Sequence, residues 1–313
     1  MRFIESRGRR ALLITALLMF VASSARAFPV TSCGTTCSSN CELAANLVCT
    51  PTQIGVTLTN GADLDMRGFD IRCEIDDDDP IASYDRCAKG IRVTGANSTV
   101  FSSGPGDPAD PTPRVRGPWL NAIDCTGSTN SSVLGITIYQ ALLGGSGHPA
   151  DPAVNACAIV EDSTIIGKPV AYPISDGNGG ARILYKYPSV GIWLANNSVR
   201  TYRNYIDGFG YAAIFRTPKG NAPVDAEDNA INYRDLVDAY IANAYAIDFL
   251  RLTNDFYGVF FGNVIVGDGM SNLFNSSPGT IGWGNNTCRR GLANCEQCVT
   301  SFDCFASSPC VSP

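Results

Sequence analysis

Apolar and polar positions alternate along this chain in short runs, and one run keeps returning. It reads KGIRVTG at 89–95, NAIDCTG at 121–127, CAIVEDS at 157–163, VGIWLAN at 190–196, AAIFRTP at 212–218 and YAIDFLR at 245–251. Each sets a Gly or Ala before an Ile and then alternates. The anchors Ile91, Ile123, Ile159, Ile192, Ile214 and Ile247 lie 32, 36, 33, 22 and 33 residues apart. One strand-like phrase per unit at a recurring spacing predicts a stack of similar β coils. Further short strands follow within the units. NYID (204–207), NAIN (229–232) and NVIV (263–266) each place an Asn two positions before an inward Ile. No long segment after the first 27 residues has helical apolar spacing. Coils stacked at about 4.8 Å would make roughly eight coils a rod about 40 Å long.

These phrases, with VTLTNGADLDMRGFDIRC at 56–73 and GIRVTGANSTV at 90–100, resemble the repeats of the pectate-lyase-like superfamily. The resemblance covers roughly residues 50–287. It implies an all-β fold, a right-handed parallel β-helix (solenoid). It also implies a range of roles: polysaccharide lyases, glycoside hydrolases, uronate epimerases, copper-site maturation proteins and proteins with no known activity. Stacked Asn204, Asn229 and Asn263 are expected to form a structural hydrogen-bonded ladder.

Residues 1–27 read as a secretory signal. Arg2, Arg7, Arg9 and Arg10 precede the apolar stretch 11–22, and Ala25-Arg26-Ala27 offers a small-x-small cleavage site. The other reading, a membrane anchor, meets the difficulty that about 20 residues are needed to span a bilayer. Arg9-Arg10 hints weakly at twin-arginine export. Localisation is expected to be secreted, extracellular or periplasmic, with no membrane span after cleavage. Thirteen cysteines fit an oxidising compartment. They mass at both ends, which predicts disulfide-rich N- and C-terminal caps at 28–50 and 288–313 around a β-helix at 51–287. An odd count leaves one thiol free or paired outside the chain. Cys295-x-x-Cys298 could be half a zinc site, with no second such pair present.

Without the leader the chain carries 18 basic and 28 acidic residues, a net of −10. That argues against nucleic acid as a partner. A single histidine, His148, in a Gly/Pro-rich loop, excludes a His-rich metal site. No cofactor is expected; Ca²⁺ is the one ion that acidic loops such as Glu74–Asp79 could hold, although no D-x-D-x-D pattern is present. Positive charge gathers instead between 181 and 219, where six cations face one acid, Asp207, among eight aromatic residues. Guanidinium forks grip carboxylates and aromatic faces pack on sugar rings. Extracellular polysaccharide is therefore the expected partner, with Arg216, Lys219, Tyr202 and Tyr211 as substrate-binding candidates. The next coil is acidic. Arg200 and Arg203 as bases of a uronate lyase, or Asp225, Glu227 and Asp228 as acid, base or calcium ligands, are the catalytic candidates. Neither a pectate-lyase signature around a catalytic Arg nor the paired Asp of polygalacturonases is found. Each charge pairing with its coil neighbour would instead mark a non-catalytic structural or adhesive rod. The Pro/Gly-rich segments 103–118 and 144–153, with 172–189, are expected to be loops leaving the rod and walling a cleft.

Overall fold

The computed structural model describes residues 27–75, 86–104, 113–141, 152–168 and, with breaks at connections, 170–289. Its strands form three long sheets in which every pairing is parallel. The chain visits the sheets in a fixed order, here faces 1, 2 and 3. The first full coil is Thr35–Cys37, Cys41–Leu43 and Leu47–Cys49, and the second Ile54–Leu58, Leu64–Asp65 and Ile71–Cys73. The third coil is Cys87–Val93, Thr99–Phe101 and Arg114–Gly117. The fourth is Trp119–Asp124, Ser132–Leu134 and Thr137–Ala141, and the fifth Val154–Asn155, Ile159–Glu161 and Thr164–Lys168. The sixth is Val190–Leu194, Arg200–Tyr202 and Tyr205–Asp207, and the seventh Ala212–Arg216, Val224–Glu227 and Ala230–Tyr233. Two more coils follow, ending with Thr287–Arg289 on face 3. This is a parallel β-helix, wound in the right-handed sense that strand twist favours for parallel crossovers.

The small residue before each Ile has a steric cause. A Cβ added at Gly90 would lie 2.5 Å from Ala122 O and 2.5 Å from Val115 Cγ1 of face 3. At Gly191 it would lie 2.6 Å from Ala213 O. Face 1 bends here, so two successive residues turn inward: the small one, then the β-branched one. Ile91, Ile123, Ile192 and Ile214 are at most 1% exposed and stack in register, with Ile247 continuing the column. Each fully buried side chain of this size contributes roughly 1.5–3 kcal/mol.

One anchor is misplaced by the sequence pattern. Ile159 belongs to face 2, where it pairs with Ser132 and Arg200. Val154 fills the face 1 column between Ile123 and Ile192. Ala153-Val154 supplies the small-then-branched pair there, hidden in a strand only two residues long. The loops differ as well. Arg114–Gly117, within the expected loop 103–118, is a face 3 strand paired on both sides. Pro113 and Pro118 bracket it, outside the positions that need an N–H. Of the expected loop 172–189, most is an antiparallel hairpin, Val170–Ser175 with Ala181–Lys186.

Polar ladders lock the corners. Asn204 is 1% exposed and its Oδ1 accepts from Ser163 N at 3.0 Å. Its Nδ2 donates to Val160 O, Thr201 Oγ1 and Asn229 Oδ1 at 2.9–3.0 Å. Asn229 Nδ2 donates to Thr201 O at 3.1 Å. Lower in the stack, Asp70 N donates to Asn46 Oδ1 and Arg114 N to Asp70 Oδ1. The expected third ladder member, Asn263, lies outside the described residues. Four disulfides staple the described coils: Cys33–Cys49, Cys37–Cys41, Cys73–Cys87 and Cys125–Cys157. The first two sit within 28–50. Cys295, Cys298, Cys304 and Cys310 lie outside the described residues, whereas Cys288 is in the last face 3 strand.

Candidate functional site

The turn from face 2 to face 3 takes two residues, and the first adopts a left-handed conformation: Asp162 (φ 53°), Arg203 (φ 50°) and Asp228 (φ 51°). Their amides bond upward, Asp162 N to Tyr202 O at 3.1 Å and Arg203 N to Glu227 O at 3.2 Å. Asp and Asn tolerate this conformation better than other non-Gly residues, so Arg203 is the costly member. The three therefore stack as acid, base, acid. Arg203 Nε and Nη2 donate to the two Asp162 oxygens, each at 2.6 Å. Hydrogen bonds from that guanidinium hold the Asp162 carboxyl below its ordinary range, and those to Asp162 and Tyr202 push Arg203 further up.

The adjoining strand repeats the scheme one step inward along face 2. Glu161, Tyr202 and Glu227 share one register, and Arg200 pairs with Asp225 by backbone. Arg200 reaches both flanking coils: Nη1 is 3.6 Å from Glu161 Oε1 and Nη2 is 3.6 Å from Glu227 Oε2. The Tyr202 ring lies between two guanidinium groups, with Arg200 Cζ 3.9 Å and Arg203 Cζ 4.1 Å from its centre. Thus Arg200, Tyr202, Arg203, Glu227 and Asp228 do come together on one corner, with Asp225 beside them in strand register. Arg216 does not join them. It ends a face 1 strand, between Leu194 and Phe249. Tyr211, Lys219 and His148 lie outside the described residues, as do residues 76–79 of the acidic run.

Sequence reasoning missed a second cluster, on face 1. Asp124 is 1% exposed. Lys89 Nζ donates to its Oδ2. Its Oδ1 accepts from Thr126 Oγ1 at 2.6 Å, Thr126 N at 3.2 Å and Asn155 Nδ2 at 2.9 Å. Burial alone would raise this carboxyl, but the bonds from Lys89 and Thr126 and the Lys89 charge outweigh it and hold the group below its ordinary value. The available signal was the outward position on either side of the small–Ile pair, Lys in KGI and Asp in AID. In chain order, residues 74–86 lead from face 3 into the strand of Lys89, and residues 142–153 into the strand of Asn155.

Among the described residues no group of three or more His, Cys, Asp or Glu comes together to hold a metal ion, and no helix is long and apolar enough to cross a membrane. Comparison with protein-family models, curated proteins and solved structures gives no match to this chain.

Proposed function

We propose that this is an exported β-helix protein, related to the pectate-lyase-like superfamily, that interacts with extracellular polysaccharide. Export is supported by the leader-like residues 1–27 and four disulfides. The relationship is supported by three parallel faces with stacked Asn at one corner. The observation that carries the functional reading is the buried Asp124 held ionised by Lys89 and Thr126, with Asn155 of the next coil on the same oxygen as Thr126. Such perturbed groups concentrate where ligands are handled. The form of interaction favoured is binding. Asp124 is too enclosed to meet a glycosidic bond, and Arg200 and Arg203, the candidate bases, are both engaged by carboxylates.

That last pairing favours a second reading, a non-catalytic structural or adhesive rod. A glycan panel separates the two. The oxidised protein would be incubated with pectin, alginate and neutral glucans, with and without Ca²⁺, and followed for binding, unsaturated lyase product and new reducing ends. Binding without cleavage is the expected result. Cleavage lost in Arg200→Gln would overturn the non-catalytic assignment, and silence on every glycan would leave the rod.

A further inference from the structure

Face 3 carries a charge arrangement unlike that of the face 2 corner. Its outward positions form a continuous column: Val48, Arg72, Arg116, Tyr139, Ile166 and Asp207. Arg72 and Arg116 are direct neighbours on adjacent strands, roughly 4.8 Å apart in backbone spacing. Arg114 stands on the same strand as Arg116, and its guanidinium lies 5.7 Å from the centre of the Tyr139 ring. Like charges directly opposite on a sheet are unfavourable. Among the described residues, the corner carboxylate Asp70 stands beside this group. Its Oδ1 accepts from the Arg114 backbone N–H, and its Oδ2 forms an ion pair with Arg116 Nε at 3.4 Å, so Arg72 is the member of the group that stays uncompensated by a described carboxylate. Arg72 is exposed and forms no ion pair with a described carboxylate. On the next two strands Thr137 and Thr164 share one register and Tyr139 and Ile166 another, with Thr137 buried.

We infer that the outer side of face 3 at coils two to four binds an anionic polysaccharide, carboxylated or sulfated, through Arg72, Arg116 and Arg114 with Tyr139 as a ring platform. This rests on the polysaccharide reading above and assigns it a surface. Arginines in one register on adjacent strands offer charge at intervals set by the coil, which suits a chain bearing about one anion per sugar. A net charge of −6 over the whole sequence disfavours a denser polyanion such as nucleic acid. Bound anions would relieve the Arg72–Arg116 repulsion, so the site stabilises its own ligand-bound state.

The test is isothermal titration of the oxidised full chain with polygalacturonate, dextran sulfate, neutral dextran, single-stranded DNA and phosphatidylserine vesicles. It is run on wild type, on Arg72→Ser with Arg116→Ser, and on Arg200→Gln with Arg203→Gln. Removing outward like charges leaves the core intact, and circular dichroism of each variant verifies folding. Polygalacturonate or dextran sulfate should bind wild type, more weakly as salt rises. The Arg72/Arg116 variant should lose about tenfold in affinity and the Arg200/Arg203 variant less than about twofold. Charged-glycan binding unchanged in the Arg72/Arg116 variant, or neutral dextran bound as well as the charged glycans, would overturn this surface while leaving the polysaccharide reading standing. No glycan bound at all would overturn both. DNA or vesicles bound in preference to glycans would overturn the partner class.

Discussion

Two basic regions of this rod have opposite surroundings. At the face 2 corner, Arg200 and Arg203 sit between coils that present Glu161 and Asp162 below and Glu227 and Asp228 above. On face 3, Arg72 and Arg116 sit against each other. The first region is the one that composition along the chain singles out, and it is neutralised. The second is scattered in sequence and keeps an excess of positive charge: Asp70 pairs with Arg116, and Arg72 beside it forms no ion pair with a described carboxylate. In a solenoid the electrostatic neighbours of a residue are one coil away, 41 residues for Arg203 and Asp162 but 27 for Arg200 and Glu227. A stretch of like charge in the sequence therefore predicts little until the coils are in register.

The largest effect should come from breaking the register that builds the neutral corner. Asn204→Ala leaves the buried Ser163 N–H without its acceptor and removes the donor to Val160 O and Thr201 Oγ1, and should cost about 3 kcal/mol in urea unfolding. Asp124→Asn comes next, about 2 kcal/mol at neutral pH, because it leaves the Lys89 ammonium without its counter-charge. Its pH signature follows from a carboxyl held below its unfolded value. The contribution is present above roughly pH 4, near the unfolded carboxyl value, and is lost as pH falls through the lower folded value. Unfolding measured from neutral to acid pH should show that loss in wild type and less of it in Asp124→Asn.

The comparison can also be inverted. Glu161→Gln with Glu227→Gln uncovers Arg200 and should raise affinity for dextran sulfate roughly fivefold, read by titration. The smallest effect belongs to Arg72→Ser. Relieving its repulsion from Arg116 should raise stability by about 0.3 kcal/mol without ligand, seen as a small upward shift in denaturant midpoint.

The fold was legible because sterics repeat. The small–Ile pair at 90–91, 122–123, 191–192 and 213–214 is required wherever face 1 bends, and the Asn at 204 and 229 wherever face 2 turns into face 3. Ile159 misled because the coil it was assigned to has only a two-residue strand on face 1, which leaves almost no pattern to read. The candidate site was half legible. Arg200, Tyr202, Arg203 and Glu227, singled out in the sequence, lie on one corner, but Glu161 and Asp162, a whole coil earlier, were not counted. Arg114 and Arg116 were concealed between two prolines that mark a loop in most contexts yet here only delimit a strand. Lys89 and Asp124 each appeared as an ordinary outward residue of a separate phrase, and only stacking joins them.

The most direct test needs no substitution. Arginine-specific chemical footprinting, read by mass spectrometry, would compare the oxidised protein alone and with saturating polygalacturonate or dextran sulfate. The account predicts that Arg72 and Arg116 become protected while Arg200 and Arg203, already held by carboxylates, change little. Protection of Arg200 and Arg203 with Arg72 and Arg116 unaffected would contradict it.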